Sequence, residues 1–286
     1  MEFAPKNQGL GSNTWVTPAA RVAVLNMYNG IPNQGMRCIR ELLDAESAWA
    51  EWEEFDVRVN GVTPDTSFDI YLCSGGPGNP LEGDGVWDKQ FYDLLDALWA
   101  HNLDPAQTRK KYVFFICHSF QMACQHFGLG EVARRRSTSF GVMEVHKTAA
   151  GMQEPILNGL PDPFYAVESR DWQVIQPRLA VFDEHGASIA ALEKIRDHVA
   201  YERAIMAVRF SKEFFGTQFH PEADAQGMLV HFSQEDKRQQ VIDLHGEAKY
   251  NQMIERLKDP DKIEMTHRTI IPNFLRESRL ALEATS

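Results

Sequence analysis

Cysteine is scarce in this 286-residue sequence, and the four cysteines are not spaced as zinc ligands or as the framework of a disulfide-rich domain. Cys38, Cys73, Cys117 and Cys124 include no C-x-x-C pair. Long apolar runs are missing as well, since no stretch approaches the ~18 residues that a membrane-spanning helix needs. We therefore expect a reduced, cytoplasmic chain without a metal site and without a membrane partner.

Positive charge is the second deficit. The sequence has 29 Lys and Arg against 40 Asp and Glu, a formal net charge of −11. A surface of that sign repels nucleic acid and anionic membranes, so we expect neither as a partner. Residues 1–18 lack the basic and apolar regions of a signal peptide, and no P-loop sequence indicates a nucleotide site. No cofactor is expected.

Changes in composition divide the chain into three parts. Residues 1–18 carry glycine and proline with little periodicity, which predicts an extended arm. Residues 19–222 alternate apolar strand-like runs with amphipathic segments, which predicts one α/β domain. Residues 223–286 are charged with a helical pattern, and they predict a C-terminal helical extension. Its helices would form a docking surface, a homodimer interface or only a cover for the edge of the domain.

Three short apolar runs predict buried parallel strands at residues 21–26, 68–73 and 111–117. Apolar residues at helical spacing predict helices at residues 33–54 and 87–102, between these strands. Strand and helix alternating in this way predict an α/β fold, built on a mostly parallel open sheet with helices on both faces.

The remainder of the chain follows a different pattern. Shorter strand-like pieces across residues 140–219 predict antiparallel additions at the edge of the sheet. After Glu222 the charged segment 237–257 predicts one long helix.

Cys117 closes the third predicted strand and precedes a helix that should end at Gly128 or Gly130. The carboxyl ends of strands in open α/β sheets are where ligands bind. A cysteine at a helix N-terminus also feels the positive end of the helix dipole, which favours the nucleophilic thiolate. The backbone N–H of His118 can then point at a developing oxyanion. An isolated cysteine in such a place is usually a buried core residue, so the assignment depends on partners elsewhere.

Those partners lie in the segment FHPE, residues 219–222. His220 and Glu222 are two residues apart, so on an extended backbone their side chains emerge on the same side. Pro221 biases His220 toward an extended conformation and thereby holds the pair in that relation. A thiol, a base and a carboxylate that orients the base form the arrangement that nucleophilic catalysis needs.

A glycine-rich loop, SGGPGNP, follows the second predicted strand with glycines at 75, 76 and 78. A loop amide that approaches a ligand closely leaves little room for a Cβ atom. This loop, then Cys117 with Gln121 four residues later, then GTQFHPE (216–222) resemble, in order and spacing, the three signatures of the class I glutamine amidotransferase family. The resemblance covers about residues 20–222 and implies the flavodoxin-like fold of that family for residues 19–222.

The resemblance also implies a chemistry and a role for each matching residue. Cys117 would attack the side-chain amide of L-glutamine, His220 would act as general base and acid, and Glu222 would orient His220. Gly76 and the N–H of His118 would form the oxyanion hole. Gly75, Gly78 and Gln121 would bind the substrate. Ammonia would leave, and water would hydrolyse the Cys thioester.

Two positions depart from the family's pattern, which has glycine two residues before and two residues after the cysteine. Phe115 and Ser119 stand there. Together with residues 22–27, 140–146 and 168–172, these departures resemble homoserine O-acyltransferases of the succinyltransferase type. Acyl transfer from a CoA ester therefore stays open as an alternative, as do a γ-glutamyl hydrolase and an inactive relative that keeps the fold for binding.

The length of the chain bears on the use of the ammonia. Only 64 residues follow Glu222, which is too few for a synthetase domain of normal size. We therefore expect a free-standing glutaminase subunit with a separate synthetase or acceptor partner, or a stand-alone amide hydrolase.

Overall fold

The computed structural model describes residues 20–195, 202–259 and 261–285. The arm predicted for residues 1–18 lies outside these described residues. Within them, one sheet runs through the molecule in the order β2-β1-β3-β4-β9-β8-β7-β5-β6. The strands are β1 (Ala20–Asn26), β2 (Ala50–Asp56), β3 (Ile70–Cys73), β4 (Tyr112–Ile116), β5 (Glu131–Lys147), β6 (Phe164–Ile175), β7 (Ser188–Glu193), β8 (Ile205–Arg209) and β9 (Phe214–Thr217).

The first half of the sheet is parallel, as the apolar runs predict. β2, β1, β3, β4 and β9 pair in parallel, and β3, β4 and β9 are buried along their whole length. Continuous apolar strands of this kind are stable only when helices cover both faces of the sheet. Two large apolar clusters, one on each side of the sheet, meet that requirement.

The second half of the sheet is antiparallel, which confirms the prediction for the middle of the chain except at β9, which lies inside the sheet and pairs in parallel with β4. β9 pairs with β8, β8 with β7, β7 with β5, and β5 with β6, each pair antiparallel. The fold is therefore α/β, with a mostly parallel open sheet that is extended by antiparallel strands.

Helices fill the connections and the C-terminal part. They are α1 (Gln34–Asp44), α2 (Trp87–Leu103), α3 (His118–His126), α4 (Leu179–His185), α5 (Ala225–Ser233), α6 (Glu235–His245), α7 (Glu247–Lys258) and α8 (Ile263–Glu283). Nowhere in the described part of the chain does a helix combine the length and the apolar character needed to cross a membrane.

Two predicted helices differ from their patterns, since one ends early and the other is divided in two. The Asn33 side chain caps α1 as predicted, by accepting a bond from the Gly35 N–H, but the helix stops at Asp44 and residues 50–56 form β2. The segment predicted as one helix over residues 237–257 is divided into α6 and α7 at Gly246, whose φ of 85° no right-handed helix accommodates.

Candidate active site

Cys117 lies in the sharp turn between β4 and α3. Its backbone has φ 49° and ψ −94°, a conformation that a residue other than glycine rarely adopts. Such strain persists only where the surroundings enforce it, and it is concentrated at functional sites. The turn places the thiol at the N-terminus of α3, where the residue is 5 % exposed.

Ser119, the first departure from the family's glycines, holds this turn together. Its Oγ accepts a bond from the Ile116 N–H at 2.9 Å and lies 2.8 Å from the Cys73 carbonyl oxygen, to which it donates. The hydroxyl therefore ties the end of β4 to the neighbouring strand β3. The serine in place of the family's glycine therefore adds two hydrogen bonds that hold the turn.

Phe115, the second departure from the family's pattern, has room because its neighbour on the adjacent strand is a glycine. Its partner in the register on β9 is Gly216, where an added Cβ would lie 3.0 Å from the Phe115 Cβ and 2.8 Å from the Phe120 ring. The Phe115 ring itself is fully buried and packs edge-on against Phe210, at a centroid distance of 5.3 Å. Phe115 therefore fits beneath the turn because the residue beside it on the adjacent strand β9 is the small Gly216.

His220 and Glu222 follow β9, and the predicted pairing of their side chains is present. His220 Nδ1 lies 2.8 Å from Glu222 Oε1. The His220 N–H donates to the Val167 carbonyl oxygen at 2.9 Å, so an isolated bridge to β6 fixes the backbone of the histidine. Glu222 is 1 % exposed, and its Oε2 has no hydrogen-bond partner in the described structure.

The pKa of the His220 ring lies well above its ordinary value. Burial lowers it, because a low-dielectric surrounding disfavours the charged ring. The negative charges of Glu222 and Cys117, and the hydrogen bonds of the ring to both, raise it by more. This three-way coupling brings Cys117, His220 and Glu222 into one electrostatic unit.

Glycine is required where the backbone passes this unit. A Cβ at Gly75 would lie 2.9 Å from His220 Cε1, and a Cβ at Gly76 would lie 2.5 Å from the Met27 carbonyl oxygen. Neither distance leaves room for a side chain. Gly78 is different, because it is exposed and its nearest neighbour would be an Arg58 Nη2 at 3.8 Å.

Gln121 is buried beneath the turn. Its Nε2 lies 3.3 Å from Gln218 Oε1, and the Gln218 Nε2 is 3.9 Å from the Cys117 Sγ. The side chain predicted to bind substrate thus reaches the thiol through a second glutamine. His118 is buried as well, and its burial together with the nearby Arg58 lowers its pKa to about 4, so its ring is neutral.

Three residues at the site were not singled out from the sequence. Gln218 is one, and Tyr28 in the loop after β1 is another. The Tyr28 hydroxyl would lie 3.0 Å from a Cβ on Gly75, and burial, followed by the charges of Glu222 and Cys117, raises its pKa well above the usual range. His267 on α8 is the third, with Nδ1 2.9 Å from the Glu222 carbonyl oxygen. Gln218 lies within the GTQFHPE segment, whereas Tyr28 and His267 come from distant parts of the chain, so local spacing carries no signal for those two.

A cleft of about 780 Å³ opens beside His220 and Glu222. The loop after β1, the start of α1, strands β5 and β6 and helices α5 and α6 form its walls. Within residues 20–195, 202–259 and 261–285, no group of three or more His, Cys, Asp or Glu side chains is arranged to hold a metal ion.

Comparison with known proteins bears on the fold and the family of the chain. No curated protein is similar enough in sequence to count as a match. Solved structures similar to this chain include a glutamine amidotransferase from Thermotoga maritima, with a TM-score of 0.67, 15% identity, and coverage of 92% of this chain and 99% of that one. A glutamine amidotransferase from Methylobacillus flagellatus has a TM-score of 0.56 and 16% identity, and covers 94% of this chain and 93% of its own.

The glutaminase domain of Trypanosoma brucei CTPS, solved with bound acivicin, has a TM-score of 0.51 and 13% identity, and covers 73% of this chain and 88% of its own. At these identities the likeness establishes the fold. The sequence profile of the family described as glutamine amidotransferase class-I matches residues 23–237. The chain belongs to the class I glutamine amidotransferase family.

Proposed function

We propose that the protein hydrolyses the side-chain amide of L-glutamine through a Cys117 thioester, with His220 as general base and acid and Glu222 as the residue that orients His220. One combination of observations carries the proposal. Cys117 lies in a strained turn, and His220 Nδ1 lies 2.8 Å from Glu222 Oε1. The charge of Cys117 and its hydrogen bond to the His220 ring also raise the pKa of that ring. A thiolate stabilised by an imidazolium is the nucleophilic form of cysteine.

The reaction proceeds in two halves. The Cys117 thiolate attacks the amide carbon, and His220 gives its proton to the departing nitrogen, so that ammonia leaves and a thioester remains. His220 then accepts a proton from water, whose oxygen attacks the thioester and releases glutamate. The backbone N–H groups of Gly76 and His118 stabilise the oxyanion in both halves.

Binding of the substrate involves Gly75, Gly78 and Gln121. Gly75 supports this role because its backbone lies against His220. Gln121 supports it through Gln218, which reaches the thiol. Gly78, which is exposed, contributes from the outer rim of the loop.

The ammonia serves a separate synthetase or acceptor subunit. In this proposal residues 19–222 are the catalytic domain and residues 223–286 an extension, with residues 1–18 as an arm. Docking of the partner, or of a second copy of the chain, on the extension stays a prediction.

Acivicin and glutamine test the assignment together. The purified protein is incubated with each, and the adducts are mapped by intact mass and peptide analysis while ammonia is measured. We expect a single acivicin adduct on Cys117 and ammonia from glutamine, both lost in Cys117→Ala with an unchanged circular dichroism spectrum. Full turnover by Cys117→Ala would contradict the proposal. An acyl adduct from succinyl-CoA, with no reaction toward glutamine, would instead support the acyltransferase alternative.

A further inference from the structure

The cleft lies on one side of the proposed nucleophile. Its walls contain His220 and Glu222 but, among the described residues, neither Cys117 nor Gly76. When the thioester forms, the histidine gives its proton to the departing nitrogen, so the departing amine lies next to the imidazole ring. The cleft is therefore on the leaving-group side of the amide.

The size of the cleft exceeds what ammonia needs. Ammonia has a single heavy atom, whereas about 780 Å³ is within the range of pockets that enclose a complete small-molecule ligand. A space of this size beside the proton donor fits an amine that carries a substituent.

The charge in the walls indicates the chemistry of that substituent. Glu222 is the one carboxylate among the described residues of the cleft, and it is bonded to His220. Arg40 is bonded to Glu54 through Nε at 2.8 Å, so its charge is already balanced. Lys237 of α6 is half-buried and forms no ion pair or side-chain hydrogen bond with the described residues. A free cation in the cleft of a protein of net charge −11 favours an anionic group.

The opposite part of the cleft is apolar. Phe140 on β5 and Phe232 on α5 pack edge to face at a centroid distance of 5.1 Å, and Val167 and Met228 lie in the same walls. An aromatic or aliphatic side chain on the amine would be removed from water by these residues.

We propose that the cleft binds the amine half of a γ-glutamyl amide in which that amine is an apolar amino acid, with its carboxylate on Lys237 and its side chain against Phe140 and Phe232. The inference rests on the proposed function and enlarges its substrate class, in which glutamine is the smallest member.

The reaction balances with water alone. The Cys117 sulfur bonds to the γ-carbonyl carbon, the carbon–nitrogen bond breaks, and the proton of His220 goes to the nitrogen of the departing amino acid. Water then hydrolyses the thioester, its proton passing to His220. The products are glutamate and the free amino acid, with no oxidation or reduction.

A matched pair of substrates measures the role of the carboxylate. γ-Glutamyl-phenylalanine and γ-glutamyl-phenethylamide differ only in that group. We expect kcat/KM to be at least about tenfold higher for γ-glutamyl-phenylalanine, as one charge-assisted contact provides. Lys237→Gln should remove most of this ratio and Lys237→Arg should retain it. The control Lys89→Gln, at an exposed lysine of α2 that is paired with Asp93, should leave the ratio as in the native protein.

The outcomes separate the two proposals. Equal kcat/KM for the two substrates, or a ratio that Lys237→Gln does not change, overturns the inference. Turnover of glutamine without turnover of γ-glutamyl-phenylalanine also overturns it and leaves the proposed function standing. If neither substrate forms an acyl-enzyme on Cys117 and acivicin does not label that residue, both proposals fail.

Discussion

The Nδ1 of His267 lies 2.9 Å from the backbone carbonyl oxygen of Glu222, to which it donates, so the C-terminal helix α8 is bonded directly to the residue that orients the proposed base. Thr266, one residue earlier, donates to the Tyr165 carbonyl oxygen on β6. Farther along α8, Asn273 Nδ2 donates to the carbonyl oxygens of Ile156 and Asn158. The helix is therefore held on both sides of His267, by β6 before it and by the segment 156–158 after it.

This contact makes His267 a candidate positioning residue for the triad. We predict that His267→Ala lowers kcat for glutamine about tenfold with little change in KM, because the Glu222 backbone loses a bond worth about 1 kcal/mol and the His220–Glu222 geometry loosens. The pH dependence of kcat should shift with it. Arg268→Ala, at the exposed neighbour on the same helix, is the control. Equal kinetics for the two variants would show that α8 only covers the sheet.

The predicted triad carboxylate depends on the absence of a side chain at Gly35. A Cβ there would lie 2.8 Å from Glu222 Oε1 and 2.8 Å from Asn33 Oδ1. We predict that Gly35→Ala displaces Glu222 and lowers kcat at least about tenfold, since catalytic geometry tolerates little displacement.

A matched control separates this effect from backbone strain. Gly61 has φ 59° and open space around it, so Gly61→Ala should reduce the free energy of unfolding by about 1 kcal/mol through strain alone and leave kcat unchanged. Urea unfolding and glutamine kinetics on both variants check the prediction, which a fully active Gly35→Ala would contradict.

The Ser119 hydroxyl should support both stability and activity. Removing it leaves the buried Ile116 N–H without that acceptor and the Cys73 carbonyl without that donor. We predict that Ser119→Ala lowers the free energy of unfolding by about 1–3 kcal/mol and reduces the rate of acivicin labelling. Ser47→Ala, in an exposed turn, should change neither. A neutral Ser119→Ala would mean that the Cys117 turn is held by its packing.

The sequence is a good guide where local pattern and global fold agree. The buried runs that become β1, β3 and β4 read as strands because they are continuously apolar, and the Asn33 cap is visible as a local signal. The segment at 50–56 misleads because its apolar residues fit helical spacing nearly as well as the alternation of an edge strand. Residues 50–56 form a strand because they pair with β1, and that pairing is a tertiary contact that the local sequence does not show.

The candidate site divides in the same way. Cys117 is predictable because the end of a strand places its side chain. The pairing of His220 with Glu222 is predicted as well, but the extended backbone assumed for it is absent, since the chain turns at Pro221 and Glu222. Gly216, which makes room for Phe115, lies 101 residues away from it in sequence and meets it only through the pairing of β4 with β9. His267 reaches Glu222 from a helix whose position no local pattern specifies.

Alkylation should distinguish Cys117 from the other three cysteines. Burial raises the pKa of Cys38 to about 12 and also raises the pKa of Cys73 and of Cys124 well above the ordinary value, so these thiols stay protonated near neutral pH. Cys117 is at a helix N-terminus beside His220 and is the most exposed of the four, at 5 %. We predict that iodoacetamide at pH 7 modifies Cys117 first, as peptide mapping would show. Modification of another cysteine before Cys117 would contradict an activated nucleophile.

The raised pKa of His220 predicts a pH dependence of stability with a definite sign. A histidine whose pKa is higher in the folded than in the unfolded chain binds its proton more tightly when folded, so the protonated ring stabilises the fold. That contribution is fully present below the unfolded value of about 6.5 and is lost as the pH rises through the folded pKa. Relative to His220→Gln, the native protein should therefore lose up to about 1.4 kcal/mol of unfolding free energy per pH unit above pH 6.5. Urea unfolding under reducing conditions at several pH values measures the difference. If the difference is constant or grows with pH, the charges of Glu222 and Cys117 raise the pKa of the His220 ring by less than burial lowers it.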